Sequence, residues 1–110
     1  MADLTPERIL RLEPGAVVLL DQRRLPDAEV ELRCESAAEV AEAIRTLAVR
    51  GAPSIGVAAA YGYALAAERG DDLDEAYAVL AGSRPTAINL VWALEQMRAD
   101  PSPEHARRLH

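Results

Sequence analysis

The apolar positions of this chain follow two different periods, and the period changes near residue 36. Before that point, three short apolar or alternating runs stand between turn-forming residues, at 9–12, 16–21 and 30–34. Runs of this length bounded by turn residues are typical of β-strands, and Pro14-Gly15 marks a reversal between the first two. The pattern predicts a small antiparallel sheet of about three strands. A short helix capped at Thr5 is the alternative for the first strand.

From Ser36 onward the apolar residues recur at helical spacing. Ser36 and Glu39 form a capping box, and Val40, Ile44 and Leu47 fall on one helical face. Because helices commonly end at a glycine in the left-handed conformation, this helix is predicted to end at Gly51.

Four further helices follow from start and stop signals. Pro53 suits the first turn of an Ala-rich helix that runs to Gly70, and the acidic run 71–75 suits the start of the next. Pro85 is predicted to open another helix, ended by Asp100-Pro101, with an apolar face made of Ile88, Val91, Trp92 and Leu94–Met97. Gly56 and Gly62 are interpreted as residues that permit close helix packing.

A last helix begins at residues 102–104, and the chain stops about two turns into it. The predicted fold class is therefore α+β, with a sheet subregion at 1–35 and a helical bundle at 36–110 in one domain. A stop inside a helical pattern leads us to expect a fragment of a longer enzyme.

Composition narrows the class of protein. A chain of 110 residues with 50% hydrophobic content can bury the core of one small domain. Its net charge of −6 argues against general binding to nucleic acid or anionic membranes. The longest apolar stretch, Ile55 to Ala67, is short of the roughly 20 residues that a membrane span needs. A single cysteine and the lack of an apolar leader favour a reduced, cytoplasmic setting.

Two stretches suggest a site for a small anion. Arg50 to Ser54 and Ser83 to Thr86 each combine an arginine with a hydroxyl where a helix is predicted to begin. Helix amino termini carry unpaired N–H groups and a partial positive charge, and the arginine fork matches phosphate oxygens. The alternative is that Arg50 only complements the end of its helix while the hydroxyls act as caps.

Other candidate residues favour structural roles. Cys34 ends a strand with no histidine near it in sequence, which is typical of a small buried residue. His105 and His110 are too few for a metal site, so no metal is expected. Asn89 could reach a ligand or support a loop, and both readings stay open. Asp21-Gln22 is interpreted as turn-forming polarity, with contact to a partner or to the neighbouring loop as the alternative.

Three stretches carry a resemblance to a known family: LLDQRRLP (19–26), AVRGAPSIGVAAAYG (48–62) and SRPTAINLVWAL (83–94). In order and spacing they resemble the amino-terminal part of methylthioribose-1-phosphate isomerases. Their superfamily also includes ribose-1,5-bisphosphate isomerase and regulatory subunits of the translation-initiation guanine-nucleotide exchange factor. The departures are mild, since Ser54 stands where relatives commonly carry alanine and Ile88 where they commonly carry valine.

The resemblance implies the conversion of 5-methylthioribose 1-phosphate to 5-methylthioribulose 1-phosphate, an isomerase step of methionine salvage and methionine biosynthesis. It implies that Arg50, Gly51, Ala52 and Arg84 bind the phosphosugar. Because both helices must pack into one small core and parallel packing would bring their starts to one side, we also expect Arg50 and Arg84 to converge on one anion. The family's catalytic cysteine and aspartate lie in a second, Rossmann-like domain that this chain lacks, so no catalytic residue is expected here.

By itself, then, the chain is expected to be inactive. The resemblance further implies a cytoplasmic, homodimeric full-length enzyme that needs no cofactor. Two alternatives stay open: a ribose-1,5-bisphosphate isomerase, and a non-catalytic assembly or regulatory module like the exchange-factor subunits.

Overall fold

A computed structural model describes residues 9–25, 27–46, 48–49, 52–84 and 87–109. Within these residues the chain forms three strands followed by five α-helices. The strands are β1 (Leu10–Glu13), β2 (Ala16–Leu20) and β3 (Glu31–Cys34), with one 3₁₀ turn at Gln22–Arg24. The helices are α1 (Ala37–Arg45), α2 (Ala52–Arg69), α3 (Leu73–Ser83), α4 (Ile88–Ala99) and α5 (Pro103–Arg108). The α+β prediction is confirmed, while the alternative of a helix at Thr5 concerns residues outside these ranges.

The sheet is antiparallel with the order β1-β2-β3. Glu13 pairs with Ala16 across the tight turn, where Gly15 has a φ of 81° that a side chain would disfavour. β2 is buried along its whole length because it is the central strand and also packs against α2. The outer strand β3 is half-exposed, as its alternating sequence predicts.

α1 begins where the sequence predicts and ends earlier. The Ser36 hydroxyl accepts a hydrogen bond from the Glu39 amide at 3.2 Å, so the predicted cap is present. The prediction that α1 continues to Gly51 is wrong, because the helix ends at Arg45. Thr46 is its C-cap residue, with a hydroxyl that donates to the Glu42 carbonyl oxygen at 2.9 Å, and the Ala48 amide closes the helix end with a bond of 3.0 Å to the Ala43 carbonyl oxygen.

α2 is the central helix and packs against the other four helices and the sheet. It spans nearly the predicted range, and its following residue, Gly70, has a φ of 77°. Its small side chains allow the neighbours to come close. A Cβ added at Gly56 would lie 2.9 Å from the Asn89 carbonyl oxygen, and one at Gly62 would lie 3.2 Å from Val40. The prediction that both glycines serve helix packing agrees with these distances.

α4 departs from its prediction in its start and in its buried face. It begins at Ile88, with Ala87 as a cap residue whose side chain makes no capping bond; Pro85 lies outside the described residues. The predicted apolar face is wrong for Ile88, Val91 and Trp92, which are 82%, 36% and 55% exposed. The face that is buried consists of Leu90, Ala93, Leu94 and Met97. Close approach to Gly56 requires the small Ala93 at the contact, and this turns Trp92 outward.

α5 closes the bundle against the sheet. The Ser102 hydroxyl caps the helix by accepting from the His105 amide at 3.2 Å, as the sequence predicts. The Arg107 guanidinium donates to the Leu12 carbonyl oxygen at 3.0 Å, and Ala106 is fully buried. Among the described residues, every helix is too short or too polar to cross a bilayer.

Candidate anion-binding site

The first turns of α2 and α4 lie side by side. Gly56, in the second turn of α2, approaches the backbone of Asn89 at the start of α4. Further along, Tyr63 of α2 lies within electrostatic range of Glu95 and Arg98 of α4. The two helices therefore run in the same direction, and the partial positive charges of their amino termini face the same end of the bundle.

A cleft of about 280 Å³ opens between these helix starts. Its lining mixes apolar side chains with polar groups: Pro53, Ser54, Gly56, Val57, Asn89, Trp92, Ala93 and Leu109. A cleft near 300 Å³ with few polar groups is at the small end of small-molecule sites. Asn89 is exposed at its edge, so both of its predicted roles remain possible.

Arg84 lies at the carboxyl end of α3, whereas the sequence predicts it directly beside the start of the next helix. It follows the last residue of α3, and its carbonyl oxygen accepts a hydrogen bond from the Ala87 amide at 3.0 Å. The neighbouring Ser83 hydroxyl is buried and donates to the Leu80 carbonyl oxygen at 2.5 Å, so it caps no helix start.

The half-buried Arg84 side chain has no hydrogen-bond or ion-pair partner within the described ranges. Arg84 precedes Ala87, the cap residue of α4, by three positions. A guanidinium without a partner among the described residues is available to a ligand. Of the other predicted site residues, Arg50 and Gly51 lie outside the described residues. Ala52 is the first residue of α2, and its side chain is likewise not described. Convergence of Arg50 and Arg84 on one anion thus stays a prediction.

A buried ion pair stands where the sequence suggests an ordinary turn. Asp21 is 1% exposed, and its two carboxylate oxygens each accept a bond of 2.8 Å from the Arg23 guanidinium. The Arg23 amide adds a third bond at 3.0 Å. Hydrogen bonds from Arg23 lower the pKa of Asp21 despite the opposing effect of burial. The sequence signal that could have predicted this ion pair is an aspartate directly after a continuous apolar strand, followed within three residues by Arg23 and Arg24.

Cys34 and His105 are engaged structurally. Cys34 is a buried free thiol, and burial raises its pKa to about 11, which keeps it protonated and a poor nucleophile at neutral pH. The His105 Nδ1 atom lies 2.8 Å from the Asp100 carbonyl oxygen inside the α5 cap. His110 lies outside the described residues.

No protein-family model matches the chain, but individual proteins do. It is 57% identical over 95 residues to a methylthioribose-1-phosphate isomerase of Parasynechococcus marenigrum, covering 86% of this chain and 28% of that protein. It is 53% identical over 105 residues to the enzyme so named from Pseudomonas aeruginosa, covering 86% and 29%. The chain thus spans less than a third of the length of these relatives.

Two solved structures share the fold. 5-Methylthioribose 1-phosphate isomerase from Pyrococcus horikoshii matches with a TM-score of 0.78 and 32% identity, over 99% of this chain and 37% of that one. The delta subunit of translation initiation factor eIF-2B from A. fulgidus matches with a TM-score of 0.66 and 38% identity, over 91% and 33%.

Proposed function

Because this chain is a relative of methylthioribose-1-phosphate isomerases over most of its length, we propose that it is the substrate-binding, amino-terminal domain of such an enzyme. The observation that carries the proposal is Arg84, which has no hydrogen-bond or ion-pair partner among the described residues and precedes α4, whose start lies beside that of α2. In this proposal the Arg84 and Arg50 guanidinium groups, with the backbone at Gly51 and Ala52, bind the phosphate of 5-methylthioribose 1-phosphate.

The physical basis is charge. A phosphate dianion is favoured by the amino-terminal ends of two parallel helices and by guanidinium groups that offer paired donors. Each charge-assisted hydrogen bond contributes about 1.5 to 3 kcal/mol before desolvation. Because the chain carries a net negative charge, positive potential is confined to this small region, which suits a small phosphosugar.

The chemical step is assigned to a second domain. An aldose–ketose isomerisation needs positioned groups that exchange protons at neutral pH, and protonated Cys34 and ion-paired Asp21 are both unsuited to that role. The proposal therefore places the catalytic cysteine and aspartate in a Rossmann-like domain of a cytoplasmic, homodimeric full-length enzyme of methionine salvage. The 110-residue chain alone is then inactive, and turnover of methylthioribose 1-phosphate by the purified chain would contradict this.

Arg84 provides the test in the full-length enzyme. Arg84→Ala should lower kcat/KM for methylthioribose 1-phosphate by about a hundredfold, as expected for a lost charge-assisted contact. Arg84→Lys should recover part of the loss, because lysine keeps the charge without the fork. The matched control is Arg98→Ala, which removes an exposed arginine of α4 that pairs with Glu95 at 3.5 Å. Equal activity of the two alanine variants would refute the role of Arg84.

A second candidate is a non-catalytic assembly or regulatory module. The likeness to the eIF-2B delta subunit, at a TM-score of 0.66, favours it. An assembly surface has no need of an anion-binding arginine, so binding of the full-length protein to methylthioribose 1-phosphate that depends on Arg84 separates the two. Turnover of ribose 1,5-bisphosphate in its place would instead assign that substrate.

A further inference from the structure

The turn after β2 is bonded to the segment that leads into Arg50. We call residues 21–23 the β2 corner. The Arg23 Nη1 atom donates to the Thr46 hydroxyl at 3.2 Å, and the Gln22 amide donates to the Ala48 carbonyl oxygen at 3.0 Å. The β2 corner therefore holds the chain at two residues just after α1, Thr46 through its side chain and Ala48 through its backbone.

Asp21 determines where the Arg23 side chain points. The carboxylate binds Nε and Nη2 of Arg23 in a fork, which leaves Nη1 directed at Thr46. Arg24 adds a longer contact of 3.5 Å to the same carboxylate. The Asp21 amide is also used, donating to the Val30 carbonyl oxygen at 2.8 Å. A bidentate pair of this kind fixes orientation as well as charge.

The corner is more elaborate than a turn requires. An exposed Asp or Asn serves a turn well, whereas a carboxylate that is 1% exposed needs several hydrogen bonds to offset its desolvation. The bonds reach forward by more than twenty positions to 46–49, where Ala48 and Val49 are buried at 0% and 2% exposure. Arg50 and Gly51 follow directly in the chain.

We propose that Asp21 and Arg23 are positioning residues for the anion site, and that by holding Thr46 and Ala48 they favour phosphate binding by Arg50 and Gly51, which follow in the chain. This rests on the proposed function. Neither residue needs to touch the anion, because their effect passes through Thr46 and Ala48.

The first test measures local order in the 110-residue chain by amide hydrogen exchange. The Ala48 amide, which donates to the Ala43 carbonyl oxygen at 3.0 Å, is the local reporter, and the Leu94 amide in α4 is the distant one. Arg23→Ala should speed exchange at Ala48 by about tenfold and at Leu94 by less than about twofold. The control is Arg45→Ala, which removes the exposed Arg45–Glu42 pair at the same helix end and should leave Ala48 unchanged.

The second test separates KM from kcat in the full-length enzyme. Arg23→Ala should raise KM for methylthioribose 1-phosphate by about tenfold with kcat within about twofold, because the lost interaction concerns binding. Thr46→Val should raise KM in the same direction, since it removes the oxygen that receives Nη1. Arg23→Lys should restore part of the effect. Arg45→Ala should match the unmodified enzyme.

Each outcome of the two tests either supports or overturns the positioning role. Faster exchange at Ala48 alone, together with the raised KM, supports the positioning role. An unchanged Ala48, equal acceleration at Leu94, or a KM equal to that of Arg45→Ala overturns it. If the unmodified enzyme does not use methylthioribose 1-phosphate at all, the proposed function fails, and with it the link from the corner to that substrate. The exchange measurement then decides separately whether the corner holds residues 46–49.

Discussion

Replacing Gly56 by alanine should destabilise the protein by up to about 2 kcal/mol. The new Cβ would lie 2.9 Å from the Asn89 carbonyl oxygen and 3.3 Å from its carbon, where ordinary contact begins at 3.4 Å. The obstacle is backbone, so α2 and α4 must separate by about half an ångström, the difference between 3.4 and 2.9 Å. Overpacking that shifts backbone costs about 1 to 3 kcal/mol, and alanine's higher helix propensity offsets about 1 of it.

Two other glycines supply matched comparisons. At Gly62 the new Cβ would meet Leu80 Cδ2 at 3.1 Å, which can rotate away, and Val40 Cβ at 3.2 Å, which moves only with its helix. The effect of Gly62→Ala should therefore lie between those of the Gly56 and Gly82 variants. Gly82 lies in α3 with nothing within 4 Å of the added atom. Gly82→Ala should therefore stabilise by about 0.5 to 1 kcal/mol through propensity alone.

Urea unfolding followed by far-UV circular dichroism measures all three variants. The midpoint should fall for Gly56→Ala and rise for Gly82→Ala with unchanged slopes. In thermal scans each kcal/mol should shift Tm by roughly 4 to 8 °C. If the Gly56 and Gly82 variants shift in the same direction by the same amount, helix propensity alone decides, and the close contact between α2 and α4 is wrong.

Three further outcomes are expected. Asp21→Asn should cost most stability near neutral pH and least in acid. The bonds from Arg23 lower the pKa of Asp21, so its contribution is present above the unfolded-state pKa of about 3.9 and is lost as the pH falls through the lower folded-state value; a pH-independent gap between urea midpoints would contradict this. Cys34, with its pKa raised to about 11, should react slowly with iodoacetamide in the folded protein and rapidly in urea, as followed by mass spectrometry. Ser36→Ala should cost about 1 kcal/mol in urea unfolding, because the Glu39 amide loses its cap, and an unchanged midpoint would argue against that cap.

Local signals predicted most of the architecture. The turn at Pro14-Gly15 and the caps at Ser36 and Ser102 lie where the sequence places them, because such features depend on residues within four positions of each other. The Ala-rich helix is also found as predicted, since a helix apolar on all sides can only be central.

The sequence predictions were wrong where contacts between residues far apart in the chain determine the local structure. Thr46 ends α1 with help from Arg23, a contact across 23 positions that no helical period reveals. The outward turn of Trp92 depends on which small residue faces Gly56. Arg84 was placed at a helix start because Pro85 is a strong start signal, yet α4 begins at Ile88. The candidate site is proposed from its residue types and the resemblance, while the link from Asp21 through Arg23 and Gln22 to Thr46 and Ala48 required the fold.

The bond from Arg107 to the Leu12 carbonyl oxygen spans 95 positions and so affects how the protein folds during synthesis. Translation releases the chain from its amino end, and domains fold as units when enough of them has emerged. β1 and α2 can form early, but the surface that α5 covers stays open until residues 103–108 have left the ribosome. Ribosome-bound chains that stop at Asp100 should therefore remain sensitive to protease, and protection should appear only once α5 has emerged.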